Sequence, residues 1–463
     1  MIDKGDPEDK SIQELLKAIE TSPQPDKAHN TLGNEYFSRG QYEKAVEHYL
    51  KAKEVNPNEW IYSSNLGDAY RGLRDWPEAI KHYEKALEMK PEDHWINNGL
   101  GIAYSALGED EKAIEFYDKA IQIEPKAVYY VNLGDVYRRL GKEKMKEAIE
   151  YYDEAMAIDP DYAPAANSLG NAYYSQEDYD KAIEYYQKAA SIDLQNPVYY
   201  SNLGEAYRRR RNWEEAMRCY SKALEIDPED DIANNGMGVA YYFKGEYDKA
   251  IEYYKKAASV QEYFVYYANL GDAYRQKKDW DGTIENYEKS IALNPKDDFS
   301  YNGLGIAYRA KGKYHRAIQH YQMAISLNPD PTYYANLGVV YDRLRKFDEA
   351  IQQYELAIEK TGKDYPKDPE LLESLGMLYN ERGVDNYRKK ENDKAIQDYK
   401  KALESVSANP LIYHNLYLVY DAKSSLGEAE ESLRKAIALD PNNQTYIDEL
   451  KNLQAKMSET AKA

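Results

Sequence analysis

Apolar and small side chains recur along this chain at steps of three and four, with charged residues filling the positions between them. Residues 62–93 read YSSNLGDAYRGLRDWPEAIKHYEKALEMKPED. Here Leu66, Tyr70, Ile80, Tyr83 and Leu87 fall on two helical stripes, divided by a polar turn at Asp75. Gly67, Ala79 and Ala86 interrupt the stripes with small residues, so backbones can approach closely there. The pattern predicts a pair of short amphipathic helices that buries its apolar faces only against neighbouring pairs.

The same pattern repeats through the chain. An LG or MG dipeptide places glycine at 33, 67, 101, 134, 170, 204, 238, 271, 305, 338 and 376, in steps of 33 to 38, and Tyr417 takes the place 41 residues later. That makes twelve repeats, most carrying AY after the glycine, an Ala twelve residues on, then Tyr and another Ala. Over residues 26–441 the pattern resembles the tetratricopeptide (TPR) repeat, a helix-turn-helix unit. The resemblance implies an all-α fold, a right-handed TPR superhelix or α-solenoid with terminal capping helices. It divides the chain into a capping helix and linker (1–25), a regular array (26–360), irregular repeats eleven and twelve (361–441), and a capping helix with tail (442–463).

Departures from the frame carry their own expectations. Gly40, Gly108, Gly245 and Gly312 fall where repeats one, three, seven and nine turn between helices, a left-handed helix end that favours glycine. Repeats two, six and eight instead offer Asp75, Asn212 and Asp279 as caps of their second helices. Thr283 and Ser290 replace both alanines of repeat eight, which predicts a helix set slightly outward or twisted. Extra residues at KEKMK, at KTGKDYPKDPE and around NERGVDNYRKKEND predict irregular stacking from about residue 360. SIQE at Ser11–Glu14 reads as a capping box opening the first helix.

Composition narrows the function. The 463 residues carry 81 acidic and 61 basic side chains, a formal charge of -20, which argues against nucleic acid as partner. No apolar run is long enough to span a bilayer, so no membrane insertion is expected, and the polar start MIDKGDPEDK predicts a cytoplasmic location. One cysteine, Cys219, excludes a disulfide framework, and the seven histidines include no pair spaced four apart. The strings GLG (99–101 and 303–305) and GMG (236–238) lack the third glycine and the strand of a dinucleotide loop. Neither a catalytic site, a metal site nor a cofactor is expected.

The remaining signal lies on the first helix of each repeat, the wall that in TPR proteins lines the concave groove and binds peptides. Asparagine alternates between three residues before the glycine (Asn98, Asn167, Asn235, Asn302) and two before it (Asn132, Asn202, Asn269), so the true period is nearer two repeats. This column resembles the asparagine ladder with which some TPR superhelices, among them O-GlcNAc transferase and kinesin light chains, hold a ligand's main chain. Even repeats add an acid and an arginine three residues apart: Asp68 with Arg71, Asp135 with Arg138, Glu205 with Arg208 and Asp272 with Arg275. Arg309 follows in repeat nine, and Arg208–Arg211 form a run of four. In the groove columns cations exceed acids by 4 through repeat nine, and acids exceed cations by 4 in repeats ten to twelve. These residues point to a non-enzymatic adaptor that holds an extended, partly acidic protein segment. The alternative is a structural scaffold that assembles with copies of itself.

Overall fold

A computed structural model describes residues 7–361, 369–406 and 408–460. Residues 362–368, most of KTGKDYPKDPE, lie outside the described residues. The described chain forms 26 α-helices and no strand. Twelve consecutive pairs run from Pro25–Ser38 with Tyr42–Val55 to Pro410–Ala422 with Leu426–Leu439, between terminal helices Pro7–Thr21 and Gln444–Thr460. They group into two compact units, Met1–Gly236 and Met237–Ala463, whose boundary falls inside the helix Asp231–Phe243. Within each unit every helix packs on the one before and the one after.

The recurrent glycine has a steric cause. Sixteen residues after it, on the second helix, stands a buried tyrosine whose ring lies flat on the glycine backbone. A Cβ at Gly67 would lie 2.5 Å from the Tyr83 ring, and one at Gly170 2.5 Å from Tyr186. Such contacts are far inside van der Waals distance, so no larger residue fits. Both alanine columns are closed to solvent as well: Ala79 and Ala86 are 0% exposed. The GLG and GMG strings extend the same device. Gly99 receives the ring of Tyr83 from the preceding repeat, Gly236 that of Tyr220 and Gly303 that of Tyr287, each within 2.6 Å of an added Cβ. All three strings lie inside helices, where a phosphate loop cannot form.

Turns follow the sequence closely. Gly40, Gly108, Gly245 and Gly312 have φ of 70 to 78°. Asp75, Asn212 and Asp279 cap their helices by accepting the backbone N–H of Glu78, Glu215 and Gly282. The two extra residues of KEKMK are taken up by a 3₁₀ turn at Lys142–Lys144, so Tyr152 still meets Gly134. Thr283 and Ser290 are both 0% exposed. Their hydroxyls are satisfied by Asp279 O at 2.7 Å and by Asp297 Oδ2 at 2.6 Å, so burial there costs little.

Two expectations need correcting. Ser11 lies inside the first helix, which starts at Pro7, so SIQE is not its capping box. Repeat eleven is also registered differently. Its first helix runs unbroken from Pro369 to Arg388, and Tyr399 packs on Gly383, whereas a Cβ on Gly376 would meet Val406. Gly383 is therefore the repeat glycine, 34 residues before Tyr417, and the insertion lengthens a helix instead of forming a loop. With this register Asn380 occupies the asparagine column. The columns of repeats ten to twelve then hold Arg343 and Arg388 against Asp342, Glu381 and Asp421, so most of the expected acid excess disappears.

His82 occupies a position where Tyr185 and Tyr253 stand in other repeats. It stacks on Tyr70 with centroids 5.3 Å apart, beside Lys53 Nζ at 3.4 Å and the Glu78 carboxylate at 3.7 Å. Burial, and then the Lys53 charge, push its imidazole down to about 4. Between the ordinary value of 6.5 and about 4 the folded chain binds fewer protons at this site than the unfolded one. Its contribution to stability is thus complete above pH 6.5 and is lost as pH falls toward 4, by an amount on the order of 3 kcal/mol. Urea titrations at pH 7 and pH 4.5 should show a smaller acid loss for His82→Tyr than for wild type.

Candidate functional site

The asparagines of the first helices meet in pairs. An odd-repeat asparagine accepts, through Oδ1, the side-chain N–H of the asparagine in the next even repeat. Asn65 donates to Asn30 at 2.7 Å, Asn132 to Asn98 at 2.9 Å, Asn202 to Asn167 at 2.9 Å, Asn336 to Asn302 at 3.1 Å and Asn415 to Asn380 at 2.9 Å. Asn235 and Asn269 stand at the same places in repeats seven and eight, and both are half-buried. Pairing explains the alternation by two repeats: donor and acceptor must project from slightly different heights of adjacent helices. Each pair uses one acceptor and one donor, leaving the odd residue's amide hydrogens and the even residue's carbonyl.

The acids and arginines of the even repeats join the buried tyrosines. Tyr83 Oη donates to Asp68 at 2.8 Å, Tyr152 to Asp135 at 2.8 Å, Tyr220 to Glu205 at 3.1 Å and Tyr287 to Asp272 at 3.3 Å. The same carboxylates hold Arg71 at 2.9 Å, Arg138 at 3.4 Å, Arg208 Nε at 2.7 Å and Arg275 Nε at 2.7 Å. Glu205 also accepts the Tyr174 hydroxyl at 2.9 Å. Burial pushes the Glu205 carboxyl up, but Arg208 outweighs it and holds the group below its usual value. In these triads each arginine, still charged, is paired with a carboxylate of its own repeat.

The run of four arginines disperses in the same way. Arg208 binds Glu205, Arg209 donates to the Tyr174 hydroxyl at 2.9 Å, and Arg210 pairs with Asp180 at 3.1 Å. Arg211 takes the left-handed helix end with φ 58°, the place glycine fills in repeats one, three, seven and nine. Arg139 likewise pairs with Asp110. Arg309 stands apart: its side chain makes neither an ion pair nor a hydrogen bond with any described residue.

An aromatic cleft opens on the first helices of repeats one to three. It has a volume of about 370 Å³ and is lined by Phe37, Trp60 and Trp95 beside Asn65, Asn98 and Arg71. Trp95 is 58% exposed, unusual for so large an apolar side chain. Sequence reasoning missed this cleft because its rings come from different columns of three repeats. It placed the tyrosines in the repeat frame but missed that their hydroxyls bind the acids of the first helices.

Other chemistry is sparse. Among the described residues no group of three His, Cys, Asp or Glu side chains could hold a metal ion, and no helix is long and apolar enough to cross a membrane. Burial pushes the Cys219 thiol up to about 12, which suits a packing residue better than a nucleophile.

Models of the tetratricopeptide repeat match residues 57–126, 125–195 and 197–262, then 26–59 and 299–331, and also 331–359 and 412–443. A model described as TPR repeat matches 271–310. No curated protein sequence matches the chain. Among solved structures it is similar to one titled "Crystal structure of APC/C hetero-tetramer Cut9-Hcn1", at 16% identity and a TM-score of 0.39, over 96% of this chain and 93% of that one.

Proposed function

Because the chain belongs to the tetratricopeptide repeat family, we propose that it is a non-enzymatic scaffold that holds an extended, partly acidic protein segment along the first helices of its repeats. The aromatic cleft of repeats one to three carries this reading. Trp95 presents a large ring to solvent beside amide and guanidinium groups, the composition of an interface anchor rather than of an ordinary surface. The asparagine pairs supply the rest. Their remaining donors and acceptors suit peptide units of any sequence, and they recur on one helix of every repeat pair. Around Asn98, Asn132, Asn167, Asn202, Asn235, Asn269 and Asn302, the triad arginines keep free N–H groups that favour acidic side chains.

Photo-crosslinking residues placed one at a time at Trp95, Asn132 and Arg208, and at the second-helix positions Lys119 and Lys222, test the reading in the intact chain. Partner peptides should crosslink from the first three positions and not from the last two. Equal capture from both sets would overturn it, and crosslinks joining two copies of this chain would favour self-assembly. Arg208→Ala with Arg275→Ala should weaken acidic segments selectively and flatten the salt dependence of binding, while Asn202→Ala weakens acidic and neutral segments alike.

A further inference from the structure

Repeat nine holds the triad with its centre missing. Tyr321 lies on Gly305 as Tyr83 lies on Gly67, and an added Cβ would sit 2.5 Å from either ring. Arg309 stands four residues after the glycine, as Arg71, Arg138, Arg208 and Arg275 do. The residue after the glycine, however, is Ile306, where those repeats have Asp or Glu. The consequence is visible at both ends of the gap. The Tyr321 side chain is 0% exposed and its hydroxyl has no hydrogen-bond partner, the sole tyrosine among the described residues in that state. Arg309, close enough to act on Tyr321 electrostatically, is unpaired. Elsewhere the missing acid is replaced locally: Tyr49 and Tyr186 donate to Asn34 and Asn171 at 2.8 and 2.7 Å.

A buried hydroxyl without an acceptor is costly, and an arginine fork beside it makes the gap selective for an anionic oxygen. Resting on the reading of the first helices as the partner-binding face, we propose that repeat nine receives a carboxylate from the bound segment, an Asp or Glu side chain held by the Arg309 guanidinium that reaches the solvent-closed Tyr321 hydroxyl as the Ile306 side chain packed there turns aside. The partner's acid would complete in trans the arrangement that Asp68, Asp135, Glu205 and Asp272 complete in cis. Asp342 of the next repeat acts on Tyr354 together with Arg309, yet forms no ion pair with it.

Two measurements on the full chain test this. The first needs no ligand. Ile306→Asp should melt above its isostere Ile306→Asn, and that difference should vanish in an Arg309→Ala, Tyr321→Phe background. Equal melting of the two variants would overturn the assigned geometry. Tyr321→Phe alone should melt at or above wild type, whereas Tyr83→Phe should melt below it; a lower melting temperature for Tyr321→Phe would show that the hydroxyl is satisfied and overturn the proposal. The second measurement uses labelled decapeptides of alternating serine and glutamate or serine and glutamine, followed by fluorescence anisotropy. The glutamate peptide should bind wild type at least fivefold tighter, and Ile306→Asp or Arg309→Ala should reduce that preference severalfold, leaving the part due to the arginines of the even repeats. A preference undiminished in folded Ile306→Asp overturns the carboxylate seat but leaves the scaffold reading intact, because the crosslinking experiment tests that separately.

Discussion

Tyr287→Ala is expected to cost about 3–5 kcal/mol, the range for emptying a fully buried aromatic site that cannot collapse. Tyr287 is 0% exposed, and its ring is held between Gly271 of its own repeat and Gly303 of the next. Two rigid helix backbones border the void, so relaxation would be small. The converse change, Gly303→Ala, would place a Cβ 2.2 Å from the ring and should cost about 1–3 kcal/mol through overpacking. Tyr287→Phe keeps the packing and loses only the bond to Asp272, about 1 kcal/mol. Denaturant unfolding of the three variants should rank them in that order, and a Tyr287→Ala effect no larger than that of Tyr287→Phe would refute the clamp. Because stability in stacked repeats is largely local, the alanine variant should also open its repeat before the rest of the chain.

Glu205→Ala is the second large effect, expected at about 3 kcal/mol. This carboxylate accepts from Arg208, Tyr174 and Tyr220, and its removal leaves a mostly shielded guanidinium and two hydroxyls without their acceptor. Asp135→Ala should cost less, because Asp135 and Arg138 are more exposed, at 43% and 40% of the side chain against 27% and 26% for Glu205 and Arg208. Glu205→Gln should recover part of the loss, since an amide oxygen can still accept from one tyrosine. Thermal unfolding at pH 7 reads all three. A Glu205→Ala variant as stable as wild type would mean that the triad is a surface ion pair and nothing more.

Much of this architecture was legible in the sequence because its period comes from contacts between neighbouring residues in space. Gly67 and Tyr83 touch, so the pair recurs, and the turns at Gly108 and Asp75 follow from local backbone chemistry. Register failed where the repeat length changed. In repeat eleven Gly376 satisfied the dipeptide pattern, but only the ring of Tyr399 identifies Gly383 as its counterpart. The asparagine column was readable as residues and not as pairs, since its chemistry depends on reach between helices 34 or 35 residues apart. For the arginines, sequence counted charge, but the hydroxyl of a tyrosine fifteen residues from the acid it binds decides whether each carboxylate is already engaged.

The couplings along the chain are of two alternating kinds. An odd repeat is tied to the following even one by an asparagine pair, as at Asn98 and Asn132, while repeats two, six and eight are tied to the following odd one by a tyrosine seated on its extra glycine. Adding or deleting one repeat would therefore set two like surfaces against each other, with an unmatched amide or an empty glycine slot at the junction. Adding or deleting two keeps the alternation, and the junction is matched wherever the odd repeat that follows carries the extra glycine. The array can change length by duplication or recombination, but its natural quantum is the couple, and a designed extension should be cut at the same places.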